Sequence, residues 1–376
     1  TKQERKEKIA SSDHYDILIT SYDLMRRDID LYKDKQFDFI ILDEAQYIKN
    51  QNTKNALSVK KLNGYHKFAL TGTPIENSLA ELWSIFDFLN KDYLFHYHYF
   101  REHYESPIVN EHDEKKQREL KKLIAPFILR RTKKEVLKEL PDKIENNISI
   151  EFTKEERKLY FAHLAEVNKE LRALDTNRDR IQILAMLTRL RQICCEPRML
   201  FDNINHLSSK MNACLEIIDN YYQSHKKLII FSSFSSVLGL LEKELKTRHI
   251  KYHMITGATP SLKRKPIVDA YQKDDSTVFL ISLKAGGTGL NLTAAEGVIH
   301  FDPWWNMSAQ SQATDRAHRI GQENTVFVYK LIMKDSLEEK IQELQNQKKQ
   351  LSDTFVEGNE GAITNMTSEE IMSLFK

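Results

Sequence analysis

The stretch LIIFSS at residues 228–233 decides the fold. Four consecutive apolar residues that stop on two hydroxyls are too few for a helix and have no polar alternation, which is the pattern of a strand covered on both faces. The habit recurs downstream, with His253 to Ile255 before Thr256 and Gly257, Val278 to Ile281 before Ser282, and Val298 to Phe301 before Asp302. It also recurs upstream, with Ile17 to Ile19 before Thr20 and Ser21, Phe39 to Leu42 before Asp43 and Glu44, and Phe68 to Leu70 before Thr71 and Gly72. Short apolar runs separated by helical segments predict an α/β chain with parallel sheets in two lobes. Ligands of open α/β sheets gather at the carboxyl ends of strands, so the small polar and acidic residues at those ends are the candidate functional residues.

Around this frame, the 376 residues suggest about two domains at ~100–200 residues each. Lys and Arg total 56 against 54 Asp and Glu, a net of +2, so no bulk basicity announces a nucleic-acid partner and any such surface is local. No apolar run approaches the ~20 residues of a membrane span and the amino-terminal TKQERKEKIASSD has no signal-like core, so an intracellular protein without a membrane partner is expected. Cys194, Cys195 and Cys214 form neither a disulfide framework nor a CxxC pair, and Cys194 and Cys195 read as core residues of an apolar helix. Residues 80–205 are helical in spacing and heavily charged; within them HDEKKQRELKK at 112–122 reads as a solvated run. ILRRTKKEVLKELPDK at 128–143 reads as a basic linker. The expected division is a first lobe over 1–127 with a helical protrusion from about 80, the linker at 128–143, a second lobe over 144–351 with a protrusion at about 152–205, and a tail at 352–376.

Two segments carry chemistry. ILDEAQ at 41–46 ends a strand on Asp43 and Glu44; a nucleotide hydrolase needs one carboxylate for Mg²⁺ and another for the attacking water, although an ordinary acidic turn has the same composition. QSQATDRAHRIGQ at 310–322 places Gln312, Arg316 and Arg319 at i, i+4 and i+7, one helical face. Guanidinium groups suit phosphate oxygens, and Asp315 is positioned to pair with one of them, while a solvated basic face would read the same way. Three of the 11 glycines, Gly286, Gly287 and Gly289, fall in one four-residue window and mark a close backbone approach. Thr20, Ser21, Ser232, Ser233, Thr256, Gly257, Ser282, Lys284 and Gly286 offer hydroxyls, amides and one cation at strand ends, donors suited to phosphates rather than base edges. Trp304 and Trp305 fit either base stacking or packing between loops, Lys133 and Lys134 either DNA contact or a clamp on the lobes, and His300 and His318 read as structural.

Taken in order, DEAQ, LTGTP at 70–74, FILRRTKKEV, LIIFSSF, AGGTGLNLT at 285–293 and DRAHRIGQ resemble the Swi/Snf group of superfamily 2 helicase-like ATPases, the motors of chromatin remodelling and their bacterial relatives. The resemblance covers nearly the whole chain and implies two RecA-like lobes, ATP and Mg²⁺ as cofactors, and sequence-independent double-stranded DNA as partner, with a DNA-bound protein as a further target. It implies Asp43 as the metal ligand, Glu44 as the water carboxylate, Arg316 and Arg319 as the arginine-finger pair, and Thr71, Thr73, Gln312, Gly287 and Gly289 around the nucleotide. The family's P-loop is missing, since no GxxxxGK[ST] occurs, and the chain opens on Thr1. The expectation is therefore a carboxy-terminal piece of a longer translocase, its first lobe truncated, inactive alone, and acting in the bacterial nucleoid. An ATPase-dead duplex-binding or protein-contact module, and an RNA helicase, are the alternatives.

Overall fold

A computed structural model of the chain describes residues 2–72, 79–111, 113–129, 131, 133–171, 179–286, 289–305 and 307–355. It separates into two compact units, with residues up to 130 in the first and 131–347 in the second. The division falls inside the basic segment expected as a linker, most of which thus belongs to the second unit.

In the first unit, β1 (Gln36–Leu42) and β2 (Asn63–Ala69) pair in parallel with Phe39 opposite His66 and Leu42 opposite Ala69. Helix α1 (Tyr22–Arg27) precedes them and α2 (Lys54–Val59) lies in the crossover. Alternation along β1 buries Ile40 and Leu42 against Ile48, Ala56 and Val59, whereas Phe39, Ile41 and Phe68 on the other strand faces stay exposed. The strand expected at Ile17 to Ile19 does not form: the sheet has two strands, residues 17–20 have no ladder partner, and Ile17 and Ile19 are exposed. A lone extended run has nothing to satisfy its amides and is not a strand. Conversely β2 starts well before its apolar run, because NGYHK is held by backbone pairing to β1, by Asn63 Nδ2 donating to Lys33 O at 2.7 Å and by His66 stacked on Phe39. From residue 79 the unit becomes helical, with α3 (Leu79–Leu89) and α4 (Glu114–Ile124) sharing a small core of Leu82, Trp83, Phe86, Phe100, Leu120 and Ile124. The charged run is thus an amphipathic helix, started by the Asp113 side chain accepting from the amides of Lys115 and Lys116 at 2.8 and 3.0 Å.

The second unit is built on six parallel strands in the order β3 (Lys143–Ile150), β8 (Val326–Met333), β7 (Gly297–His300), β4 (Leu228–Ser232), β6 (Val278–Ser282), β5 (Tyr252–Ile255). Period-2 alternation divides β4 and β6 between two cores: Leu228, Ile230, Val278 and Leu280 face one, Ile229, Phe231, Phe279 and Ile281 the other. Helices cover both, namely α5 (Lys154–Leu171), α6 (Arg180–Cys195), α7 (Ser209–Gln223), α8 (Ser235–Thr247), α9 (Ser261–Lys273), α10 (Met307–Thr314) and α11 (Leu337–Phe355). The chain climbs from β4 out to β5 and returns through β6 to β7, so strand order reverses around β4, the position at which an open sheet leaves a crevice at its carboxyl edge. Gly297 opens β7 where a Cβ would meet the Tyr221 ring at 2.5 Å. Strands β3 and β8 were not foreseen: β3 is an edge strand whose residues before Ile150 are mostly exposed and polar, and β8 runs into Lys334 rather than a small polar residue. Pro266 lies inside α9, which continues through it to Lys273.

Candidate functional site

At the paired carboxyl ends of β1 and β2 the backbone closes tightly, with Leu70 N–H donating to Leu42 O at 2.7 Å and Ala45 N–H to Leu70 O at 2.9 Å. This turn forces Glu44 into the left-handed region, φ 51° and ψ 53°, a strained conformation for a residue with a Cβ and one that clusters at functional sites. Asp43 is exposed and accepts the Glu44 N–H through Oδ1 at 3.0 Å. Gln46 Nε2 donates to Glu44 Oε2 at 2.7 Å, and its Oε1 accepts from Thr71 Oγ1 at 2.9 Å. The DEAQ glutamine, to which sequence reasoning assigned no role, therefore ties the Glu44 carboxylate to Thr71. Burial, then the neighbouring Asp43 and Glu44 charges, pushes the Tyr22 phenol up, so its hydroxyl stays a proton donor, and it donates to Asp43 O at 2.8 Å. Thr20 is exposed, and Ser21 caps α1 by accepting from Leu24 N–H. Thr73 lies outside the described residues.

In the second unit the carboxyl edge is organised by Asp302. Ser232 Oγ donates to its Oδ1 at 2.6 Å, Ser233 N–H to the same oxygen at 3.0 Å, and the Ser233 hydroxyl to Oδ2. Arg191, from α6, donates through Nη2 to Asp302 Oδ2 at 2.9 Å, Pro303 O at 3.1 Å and Ser233 Oγ at 3.0 Å. Its guanidinium lies 5.0, 5.3 and 5.7 Å from the rings of Phe234, Trp304 and Trp305. The expectation that Ser232 and Ser233 present hydroxyls to phosphate is thereby corrected, since both are claimed by Asp302 and Ser232 is buried. The tryptophans pack between loops rather than standing clear of them. Arg191 was missed: α6 also carries Arg180 and Arg189, and the 5% exposure that sets Arg191 apart exists only in the folded chain.

Lys284 is exposed, Gly286 ends a single helical turn from Leu283, and Gly257 is exposed with room around it. Ser282, opposite Ser232 in the ladder, is buried and its Oγ has no hydrogen-bond partner among the described residues. Thr256 Oγ1 accepts from Ala258 N–H at 3.3 Å. Gly289 holds φ +31°, and Gly287 lies outside the described residues.

The arginine segment departs from a single helical face. Helix α10 ends at Thr314, and the chain winds on through tighter bonds, Arg316 N–H to Ala313 O and Ala317 N–H to Thr314 O. Arg316 O is captured by Leu292 N–H at 2.9 Å, a tertiary bond, and Gln322 Nε2 holds Ala317 O at 3.2 Å from within the segment, while His318 N–H to Thr314 O at 3.1 Å keeps the helical pattern. Gln312 and Arg316 are half-buried and Arg319 is exposed. Asp315 pairs with Lys133 Nζ at 2.7 Å. His318 Nε2 is 2.7 Å from Pro141 O, and His300, bonded to Thr314 Oγ1 at 2.8 Å, is held by burial down to about 3, a neutral core histidine. Cys194, Cys195 and Cys214 are buried free thiols, and no group of three metal-ligating side chains occurs among the described residues.

Residues 1–199 match the SNF2-related domain and residues 209–321 the helicase conserved C-terminal domain. An uncharacterized ATP-dependent helicase of Mycoplasma genitalium is 40% identical over 96% of this chain and 34% of its own length. A putative ATP-dependent helicase/translocase of Bacillus subtilis is 38% identical over 96% of this chain and 40% of its own length. The chain thus spans a third to two fifths of these relatives. The Sulfolobus solfataricus SWI2/SNF2 ATPase core, solved in complex with dsDNA, is 35% identical with a TM-score of 0.52, covering 96% of this chain and 77% of that one. Its two units, one ending a strand on a strained Asp-Glu turn and the other carrying a six-stranded parallel sheet of RecA-like type, agree with these matches: the chain belongs to the SWI2/SNF2 family of ATP-dependent helicases.

Proposed function

We propose that this chain is the carboxy-terminal part of an ATP-driven motor that tracks along duplex DNA through backbone contacts and shifts proteins bound to nucleoid DNA. The observation that carries the reading is the Glu44–Gln46–Thr71 relay, which holds a strand-end carboxylate in a strained backbone and couples it to a second loop. Glu44 is the group that orients the attacking water. Asp43 fits Mg²⁺: it is exposed at a strand end with no cage of further protein ligands among the described residues, and Mg²⁺ is commonly held by one or two carboxylates together with substrate phosphates. When bound, the ion neutralises charge on the phosphate oxygens. Arg316 and Arg319 supply the guanidinium groups that stabilise charge developing on the γ-phosphate, with Gln312, Thr71 and Gly289 around the nucleotide. Lys284, Gly257, Gly286 and Thr256 serve the DNA backbone, which they address without reading bases.

A phosphate cradle with its lysine is absent from the sequence, so these groups act with a P-loop supplied by another part of the polypeptide. The exposed Ile17, Ile19, Phe39 and Ile41 support the same view, since a sheet face of this kind is ordinarily covered. Phosphate release with saturating duplex DNA and Mg²⁺ tests both halves. The full-length polypeptide should turn over at ~1 s⁻¹ or faster and only with DNA, and this chain alone should show no turnover. Turnover by the chain alone removes the dependence on a P-loop, and DNA-independent turnover by the full-length polypeptide removes the translocase reading.

A further inference from the structure

The segment between Lys133 and Pro141 is tied to the arginine-bearing turn of its own unit at two places. Lys133 Nζ bonds Asp315 Oδ1 at 2.7 Å and donates to His318 O at 3.1 Å. His318 Nε2 sits 2.7 Å from Pro141 O, and because a carbonyl only accepts, that nitrogen carries the proton. Asp315 and His318 are the residues immediately before Arg316 and Arg319, so each tie falls one position from an arginine. The turn needs such ties. Past Thr314 it is no longer a regular helix, and its shape depends on bonds from outside itself. Lys133 is in turn fixed by its own helical turn, Lys133–Val136, with Leu137 N–H returning to Lys133 O at 2.7 Å.

We propose that Lys133, with Asp315 and His318, forms a latch through which the Lys133–Pro141 segment sets the orientation of Arg316 and Arg319. Lys133 is a positioning residue: it reaches the carboxylate before one arginine and the carbonyl before the other. A single ammonium bridging both fixes the span Asp315–His318, and release of this segment frees that span. The pair is about two-fifths exposed on each side, weak enough by itself to open and close, which suits a connection that switches rather than one that stabilises. The claim that this setting governs hydrolysis rests on the proposed ATPase function; the latch itself does not.

Two measurements separate these. In hydrogen-exchange mass spectrometry of this chain, Lys133→Ala and Asp315→Asn should each speed exchange of amides 317–322 about two- to fivefold, as loss of a half-exposed pair allows, while β4 and β6 are unchanged, and Lys133→Arg, which keeps a cationic donor, should restore protection. In the full-length polypeptide, Lys133→Ala should lower kcat about tenfold or more, as misplacement of catalytic groups by fractions of an ångström does, with KM for ATP and duplex affinity within twofold and with Lys133→Arg recovering at least half the loss. Unchanged exchange in both variants, or a Lys133→Ala enzyme retaining half its kcat, overturns the proposal, as does an arginine variant no better than alanine. If the unsubstituted polypeptide hydrolyses no ATP, the proposed function falls and the exchange result still decides the latch.

Discussion

Replacing Asp302 by alanine removes the acceptor on which Arg191, Ser232 and Ser233 converge. Arg191 is 5% and Asp302 4% exposed, so the guanidinium left behind cannot recover its lost partner from bulk water. Pro303 O and the Ser233 hydroxyl remain as acceptors, but neither carries charge, and the three aromatic rings offset only part of the desolvation. Breaking a buried pair by deleting one member costs about 3–5 kcal/mol, a large share of the ~5–15 kcal/mol by which a domain is stable. Urea unfolding of this chain, followed by far-ultraviolet circular dichroism, should show the second unit's transition displaced by that amount. Arg191→Met combined with Asp302→Asn, which removes both charges, stays close to the parental side-chain sizes and keeps an acceptor oxygen for Ser232 and Ser233, should lie within about 2 kcal/mol of the parent, less than the Asp302→Ala loss. A single alanine variant losing under 1 kcal/mol, or a double variant as damaged as the sum of its parts, would refute the reasoning.

Three further outcomes follow from the same geometry. In the full-length polypeptide, Arg319→Ala should lower kcat ~10³-fold with DNA affinity nearly unchanged in an anisotropy titration; a variant keeping a tenth of parental kcat would rule out the finger assignment. Duplex binding should weaken linearly in log affinity against log salt, and Lys284→Ala should flatten that slope by about 0.9 for unrelated sequences alike, whereas an unchanged slope would remove Lys284 from the DNA surface. Because burial holds His300 at about 3 while an unfolded histidine titrates near ~6.5, the unfolded chain takes up the proton first as pH falls. That contribution is complete above ~6.5 and is lost on going down towards about 3, at up to ~1.4 kcal/mol per pH unit. His300→Asn should remove this excess slope in urea midpoints measured from pH 6.5 to 4.5, and parallel curves for the two proteins would contradict it.

Pattern alone was enough for the strands whose two faces are both covered, because a run such as LIIFS or VFLIS has no other stable use, and parallel sheets with function at their carboxyl ends follow from it. The strand-end position of Asp43 and Glu44 was legible too, since an apolar run that stops on two carboxylates marks where a partly buried strand must end. What stayed hidden depended on partners distant in sequence. Ile17 to Ile19 looks like a strand until the lack of a neighbour leaves it unpaired, and polar β3 looks like coil until β8 supplies its ladder. Arg316 and Arg319 share a helical face only if the helix continues, and Leu292 N–H taking the Arg316 carbonyl prevents it. Asp315 turned to Lys133, 182 positions away, instead of its arginine neighbours, and the strand-end serines turned to Asp302. Local spacing determines which groups are available at an edge; which of them remain free for a ligand is settled only when the folded chain has satisfied its own buried charges and hydrogen bonds.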